Sequence, residues 1–308
     1  MRIKIACPHN TVTAGIELLH QVAAELNKYD GVIAELWYMD PREHRIPDEY
    51  LMYGNTVNSV IAPDDILLFP EILAHFTNDP AFKDYRKLIY WESVDNYFPH
   101  TPKDQWYRFG DNVLHISQTE YSNRFLADVL KVDDVIEITD YVNDAFLECD
   151  IAGDRAPVVL YNPVKGFEYT EKLIRLAPDI TFIPVSGMIR RQIVDLMKKS
   201  MVWIDFGNFP GKDRLPREAG ACGMCLITGK RGTAKYEKDL LIPDEYKIDN
   251  ANYADLGSIV ELVREIIGDF DHHQKRFAAY RKRLKQEKMQ FEQGIRQLYE
   301  ILNHNSGI

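Results

Sequence analysis

Hydrophobic and polar positions along the chain alternate between two periods, one of strands and one of helices. Arg2–Cys7 is short and partly alternating and predicts a strand. Ile16, Leu19, Val22, Ala23 and Leu26 recur at helical spacing, which predicts an amphipathic helix from Gly15 to Lys28. Asp65–Phe69, Lys87–Trp91 and Val113–Ser117 are apolar runs bounded by polar residues, the pattern of buried parallel strands. A helix is predicted from Glu120 to Lys131. Ile151–Pro157 is polar and carries Gly and Pro, which marks a linker. Strands are then predicted at Val158–Tyr161, Ile180–Ile183, Met201–Asp205 and Cys225–Thr228. Helices are predicted at about Phe167–Ala177, Ile189–Lys199 and Arg217–Cys222, and a long helical stretch runs from about Leu256 to Leu302. Strands alternating with helices imply parallel sheets covered on both faces. The expected architecture is therefore α/β: two Rossmann-like domains facing a cleft, spanning 1–150 and 151–270, with a C-terminal helical segment over 271–308.

Length agrees with two domains, since 308 residues hold about two units of roughly 150. Hydrophobic content of 45% and charged content of 27% exclude a disordered, collagenous or disulfide-rich chain. Lys plus Arg number 37 and Asp plus Glu 47, a formal net charge of −10. That balance argues against general nucleic-acid or anionic-membrane binding. No apolar run has the length to span a bilayer, and the N-terminus does not read as a signal peptide, so a cytoplasmic-type protein is expected. The cysteines are Cys7, Cys149, Cys222 and Cys225. Cys222-Gly-Met-Cys225 has the spacing of half a zinc ribbon but lacks a second pair, so the cysteines read as buried small hydrophobes.

Three loops between a predicted strand and a predicted helix carry candidate chemistry. The stretch from Asp205 to Glu218 holds Lys212, Arg214 and Arg217 against the single acid Asp213 between Phe206 and Arg217, a local charge of +2 in an acidic chain. Such a loop at a helix N-terminus suits a phosphate or diphosphate. Glu218, one turn into the helix, suits ribose hydroxyls; the alternative is a solvated loop whose glutamate caps the helix. Tyr161–Gly166 places Lys165 near a helix N-terminus, where a cation serves structure poorly and phosphate well. Pro8–Glu17 holds the small residues Thr13, Ala14 and Gly15, which let a ligand approach the backbone or simply form a turn. At the ends of the earlier strands stand the acids Glu71, Glu92 and Asp95 and the aromatics Trp91 and Tyr97.

These residues resemble those of the GT-B glycosyltransferases, and within them the retaining, family-4-like enzymes that use nucleotide sugars. Thr13-Ala-Gly15 resembles the first glycine-rich loop, which faces the donor phosphates. Asn162-Pro-Val-Lys-Gly166 resembles the segment whose lysine contacts the diphosphate. Pro216-Arg-Glu-Ala-Gly-Ala-Cys-Gly-Met-Cys-Leu-Ile-Thr228 resembles the signature Glu-Ala-x-Ala-x-Gly-x-Pro-Val-Ile, with Glu218 on the glutamate that holds the ribose, and Gly229–Ala234 resembles the glycine-bearing loop that follows. The stretch from Asp205 to Glu218 is similar to that of bacterial glycosyltransferase-like proteins often associated with surface polysaccharide genes.

The resemblance implies a nucleotide-sugar donor, a saccharide or glycolipid acceptor and no metal. It implies donor binding by Gly15, Lys165 and Glu218, with Lys212, Arg214 and Arg217 of the basic loop as further donor-binding candidates in place of the family's arginine. Glu71, Glu92 and Asp95 are candidates to orient sugar hydroxyls or act as a base, Trp91 and Tyr97 to stack on a sugar, and Glu71 and Asp95 are the catalytic candidates. Departures are specific. The acid expected eight residues before Glu218 is replaced by Pro210, Val159–Asn162 holds no basic residue, and His75 and His100 match the family's N-terminal histidine only by region. A GT-B-fold epimerase, a non-catalytic sugar-nucleotide-binding protein and a glycosyltransferase acting on modified DNA are the alternatives.

Overall fold

A computed structural model of the chain describes residues 1–40, 45–249 and 255–304. Two parallel sheets form, each around its own core. The first is built from β1 (Arg2–Cys7), β2 (Ile33–Tyr38), β3 (Ile66–Pro70), β4 (Lys87–Trp91), β5 (Val113–Ser117) and β6 (Val135–Glu137) in the order β2-β1-β3-β4-β5-β6. The second is built from β7 (Ala156–Tyr161), β8 (Thr181–Pro184), β9 (Ser200–Asp205), β10 (Cys225–Gly229) and β11 (Lys247–Ile248) in the order β11-β10-β9-β7-β8. Every strand pair in both sheets is parallel. In β3, β4 and β10 every residue is buried, as expected of parallel strands covered on both faces.

The strand order reverses between β1 and β3 in the first sheet and between β7 and β9 in the second. In open α/β sheets, ligands sit outside the carboxyl ends of the strands at such switch points. The loops that carry candidate chemistry leave these strands.

Most predicted elements lie within two residues of the observed ones. The first helix runs Ala14–Leu26, with Thr13 as its N-cap accepting from the Ile16 amide at 3.4 Å. The stretch predicted as one helix over Glu120–Lys131 divides instead. An α-helical turn, Glu120–Arg124, passes into a π-helical segment, Phe125–Leu130, closed by Lys131 in the left-handed region at φ 61°. The helix predicted from Arg217 begins earlier and runs Arg214–Ala221. The C-terminal stretch is four helices, Leu256–Gly268, Phe270–Arg276, Ala278–Leu284 and Glu287–His304.

Compact packing divides the chain at places other than the expected linker. One unit comprises Met1–Asp140, Pro210–Lys212 and Met289–Ile308; the other comprises Tyr141–Phe209 and Asp213–Lys288. Val142 and Phe146 belong to the core around β7, β9 and β10, so the chain leaves the first unit before Ile151–Pro157 is reached. The segment expected over 271–308 is likewise shared between units, and its residues 305–308 lie outside the described ones. The last helix packs with the first unit. The Arg86 guanidinium donates to the Leu302 carbonyl at 3.0 Å, and Tyr299 stacks on Tyr29 with ring centroids 4.5 Å apart. Among the described residues no helix is long and apolar enough to cross a membrane.

Candidate functional site

In the second unit, the loops leaving β7 and β9 interlock at the switch point. Asn162 ends β7 and turns the chain: its side-chain oxygen accepts from the amides of Val164 and Lys165 at 2.9 and 3.3 Å. Gly166 follows in the left-handed region at φ 65°, and a Cβ there would lie 2.5 Å from the Phe206 carbonyl carbon and 2.6 Å from the Gly207 nitrogen. A Cβ on Gly207 would lie 2.4 Å from that of Lys165. Two backbones thus cross where only glycine fits.

Polar groups converge on this crossing. The buried Asp205 carboxylate accepts from the Gly207 amide at 2.9 Å and from the Asn162 side chain at 3.4 Å. Burial pushes its pKa up to about 7, against the pull of those hydrogen bonds and of Lys165. The Lys165 ammonium pairs with the carboxylate of Asp213, whose own pKa is raised by burial and drawn back by Lys165. Lys165 keeps 37% of its side chain exposed, so the cation remains reachable from solvent.

The other candidate cations of this loop are engaged separately. Lys212 is buried and donates to the Thr139 hydroxyl at 2.5 Å, with Asp140 at 3.8 Å. Arg217, 3% exposed, pairs with buried Glu287, 70 residues later. The local charge of +2 is therefore matched by acids from elsewhere in the chain. Arg214 opens the helix Arg214–Ala221 and is buried, and Glu218 sits within the helix with 8% of its surface exposed. Of the expected donor-binding residues, Lys165 is found beside Asp205 and Asp213, and the charge of Arg217 also acts on Asp213.

In the first unit, the loops after β1, β3 and β4 meet. Glu71 directly follows β3 and is buried, accepting from the Glu92 amide at 3.0 Å and the Asn96 side chain at 3.5 Å. Burial raises its pKa to about 7 although these donors oppose the shift. Glu71 thereby holds the turn Glu92–Asn96 that leaves β4. Asp95 on that turn is half-buried and accepts from the Tyr121 hydroxyl at 2.7 Å. A Cβ on Gly15 would lie 2.3 Å from a carboxylate oxygen of Glu92, so the helix N-terminus expected to face an anion has a carboxylate of the protein against it. The Tyr50 hydroxyl clamps the same loop through the Thr13 amide and carbonyl, both at 2.8 Å.

Trp91 and Tyr97 are buried in the core of this unit rather than open to a sugar, and the Trp91 indole donates to His115 at 3.1 Å. Among the described residues no group of three or more His, Cys, Asp or Glu is arranged to hold a metal ion. Asn162, Asp205 and Glu287 carry no role in the sequence reading. An Asn-Pro after an apolar run signals the Asn162 turn, but nothing local announces that Glu287 reaches Arg217.

No family model and no curated protein matches the sequence. Similarity to solved structures extends over nearly the whole chain. Anabaena HepE in complex with UDP-glucose aligns with a TM-score of 0.67 at 12% identity, covering 99% of this chain and 100% of its own. A glycosyltransferase from Rickettsia africae aligns with a TM-score of 0.64 at 13% identity over 97% of both chains. Sucrose-phosphate synthase from Thermosynechococcus elongatus aligns with a TM-score of 0.63 at 14% identity over 98% of both. At these identities the likeness is one of fold, and with its two parallel sheets of six and five strands the chain has a GT-B-like α/β fold.

Proposed function

We propose that this protein is a glycosyltransferase that takes a sugar from a nucleotide-sugar donor and passes it, without a metal and with retention of configuration, to a saccharide or glycolipid acceptor. The observation that carries this is the gathering of Lys165, Asp205 and Asp213 at the switch point of the second sheet, in a GT-B-like fold. Transfer breaks the bond between the sugar's anomeric carbon and the diphosphate oxygen and forms one to an acceptor hydroxyl, whose proton must leave. Charge develops on the diphosphate, and a fixed cation at that point stabilises it. Lys165 takes this part, as the partly exposed cation of the crossing. Glu218, on the helix that follows, takes the ribose hydroxyls, with Arg214 one turn before it at the helix start. Of the two catalytic candidates, Asp95 is assigned the acceptor's proton, and Glu71 holds the turn that carries Asp95.

One observation favours a second reading, a non-catalytic nucleotide-sugar-binding protein: Pro210 stands where the resembling enzymes carry an acid.

Thermal unfolding with a panel of nucleotides and nucleotide sugars tests both. Selective binding stabilises the fold by about 2.7 kcal/mol at a hundredfold Kd. A rise in Tm for donors of one base is expected in the wild type and is lost in Lys165→Ala and Glu218→Ala. If no nucleotide raises the wild-type Tm, the donor site is wrongly assigned. Binding with neither transfer nor donor hydrolysis selects the second reading.

A further inference from the structure

Two cysteines distant in sequence meet in the second unit. The sulfurs of Cys149 and Cys222 lie 2.7 Å apart, across 73 residues of chain. Cys222 is the C-cap of the helix Arg214–Ala221 and is fully buried, whereas Cys149 is half-buried. Cys149 lines a cavity of about 570 Å³ with Glu148, Lys198 and Lys199, and also a second cavity of about 360 Å³ with Arg281 and Lys282. The sulfur of Cys149 is therefore approachable, through a first cavity that also carries the acids Asp150 and Asp154 and through a second whose charged lining is cationic.

The pair is electronically unequal. The hydrogen bond with Cys222 holds the Cys149 thiol below its usual range, helped by the charges of Arg155 and Lys198. The same hydrogen bond and burial push Cys222 up. Cys149, the more accessible sulfur and the one whose thiol is held lower, is the nucleophile, and buried Cys222 resolves. Burial pushes Cys225 up to about 12 and raises Cys7 well above its usual range, so neither shares this character. The spacing Cys222-Gly-Met-Cys225 misleads about the partner: Cys222 faces Cys149.

We infer that Cys149 and Cys222 are a redox modification site, closed to a disulfide by a low-molecular-weight disulfide such as glutathione disulfide and reopened by thiols. The Cys149 thiolate attacks one sulfur of glutathione disulfide, whose S–S bond breaks and releases glutathione thiolate. Cys222 gives its proton to that thiolate and attacks the Cys149 sulfur of the mixed disulfide, releasing the second glutathione. Two protein sulfurs lose two electrons, and one glutathione disulfide becomes two glutathiones. The bond ties the segment after the helix Asp144–Leu147 to the end of the helix that carries Glu218. The inference rests on the cysteine geometry alone and stands apart from the proposed function.

The full chain is incubated with glutathione disulfide, its thiols are alkylated under denaturing conditions, and intact and peptide masses are read. Two of the four cysteines are expected to escape alkylation, with one crosslinked peptide pair joining Cys149 to Cys222. Dithiothreitol restores all four. Cys225→Ser still forms the bridge, and Cys149→Ser does not. Alkylation of all four cysteines after oxidation would overturn the inference. So would a stable single glutathione adduct on Cys149, or a bridge between Cys222 and Cys225.

Discussion

Asp213 occupies the cation that a donor diphosphate would need. Its pair with Lys165 is partly exposed, a class of ion pair worth about 0–1 kcal/mol. Replacing Asp213 by Asn removes the internal competitor while keeping the shape. Isothermal titration should then show nucleotide binding tightened by up to about fivefold, whereas loss of affinity would mean that Asp213 supports the ligand rather than opposing it. Arg217 shows why charge counted along a loop misjudges a site. Its sequence neighbours make it look available, yet Glu287 neutralises it from 70 residues away. Lys212 is likewise held by Thr139 and Asp140. Residue types at the loops were legible; their availability depends on partners that local sequence does not contain.

At the scale of elements, glycines separate conformational strain from crowding. Gly166 and Gly187 share a φ of 65°, but a Cβ on Gly187 meets nothing within 4 Å, while one on Gly166 meets the backbone at Phe206 and Gly207. Alanine at Gly187 should cost about 1–2 kcal/mol, the penalty of the left-handed region. At Gly166 the clash adds a further cost of about 1–3 kcal/mol. Urea unfolding of the two variants side by side checks the ranking, and equal losses would mean that the loop crossing yields freely. Most of the longer strands were readable because buried parallel strands are continuous apolar runs, whereas β2, whose more and less buried positions alternate, was not predicted. The π-helical stretch Phe125–Leu130 was not, because its apolar period differs too little from that of an α-helix over six residues. The short strands β6 and β11, of three and two residues, carry too few positions for any period.

Across the whole molecule, stability should depend on acid through buried histidine. His20 is fully buried, its ring in hydrogen-bond contact with the Tyr38 hydroxyl at 3.0 Å and the Asn55 side chain at 3.2 Å. Burial lowers its pKa to about 4, against the charge of Glu17. Between pH 6.5 and about 4 the unfolded chain binds a proton there that the folded chain does not. Stability from this group is therefore present above pH 6.5 and lost as the pH falls toward 4, a loss on the order of 3 kcal/mol. His20→Gln should narrow the difference between unfolding free energies measured at pH 7 and pH 4.5. An unchanged difference would assign the acid limb to other groups, of which His115, also lowered to about 4 by burial, is the first.

By itself, the sequence determined the α/β class, most of the strands, the two-unit scale and which loops leave the strands' carboxyl ends. Each of these follows from apolar period, chain length or turn residues, which are local properties. Only the tertiary structure decided the rest. It set the change of unit at Asp140/Tyr141, because Val142 and Phe146 join the second core. It left the Lys165–Asp213 pair partly exposed while the pairs of Lys212 and Arg217 are buried, and it set Cys149 against Cys222. These outcomes are contacts across tens of residues, fixed by how strands order within a sheet and where a helix returns, and no run of neighbouring residues encodes them.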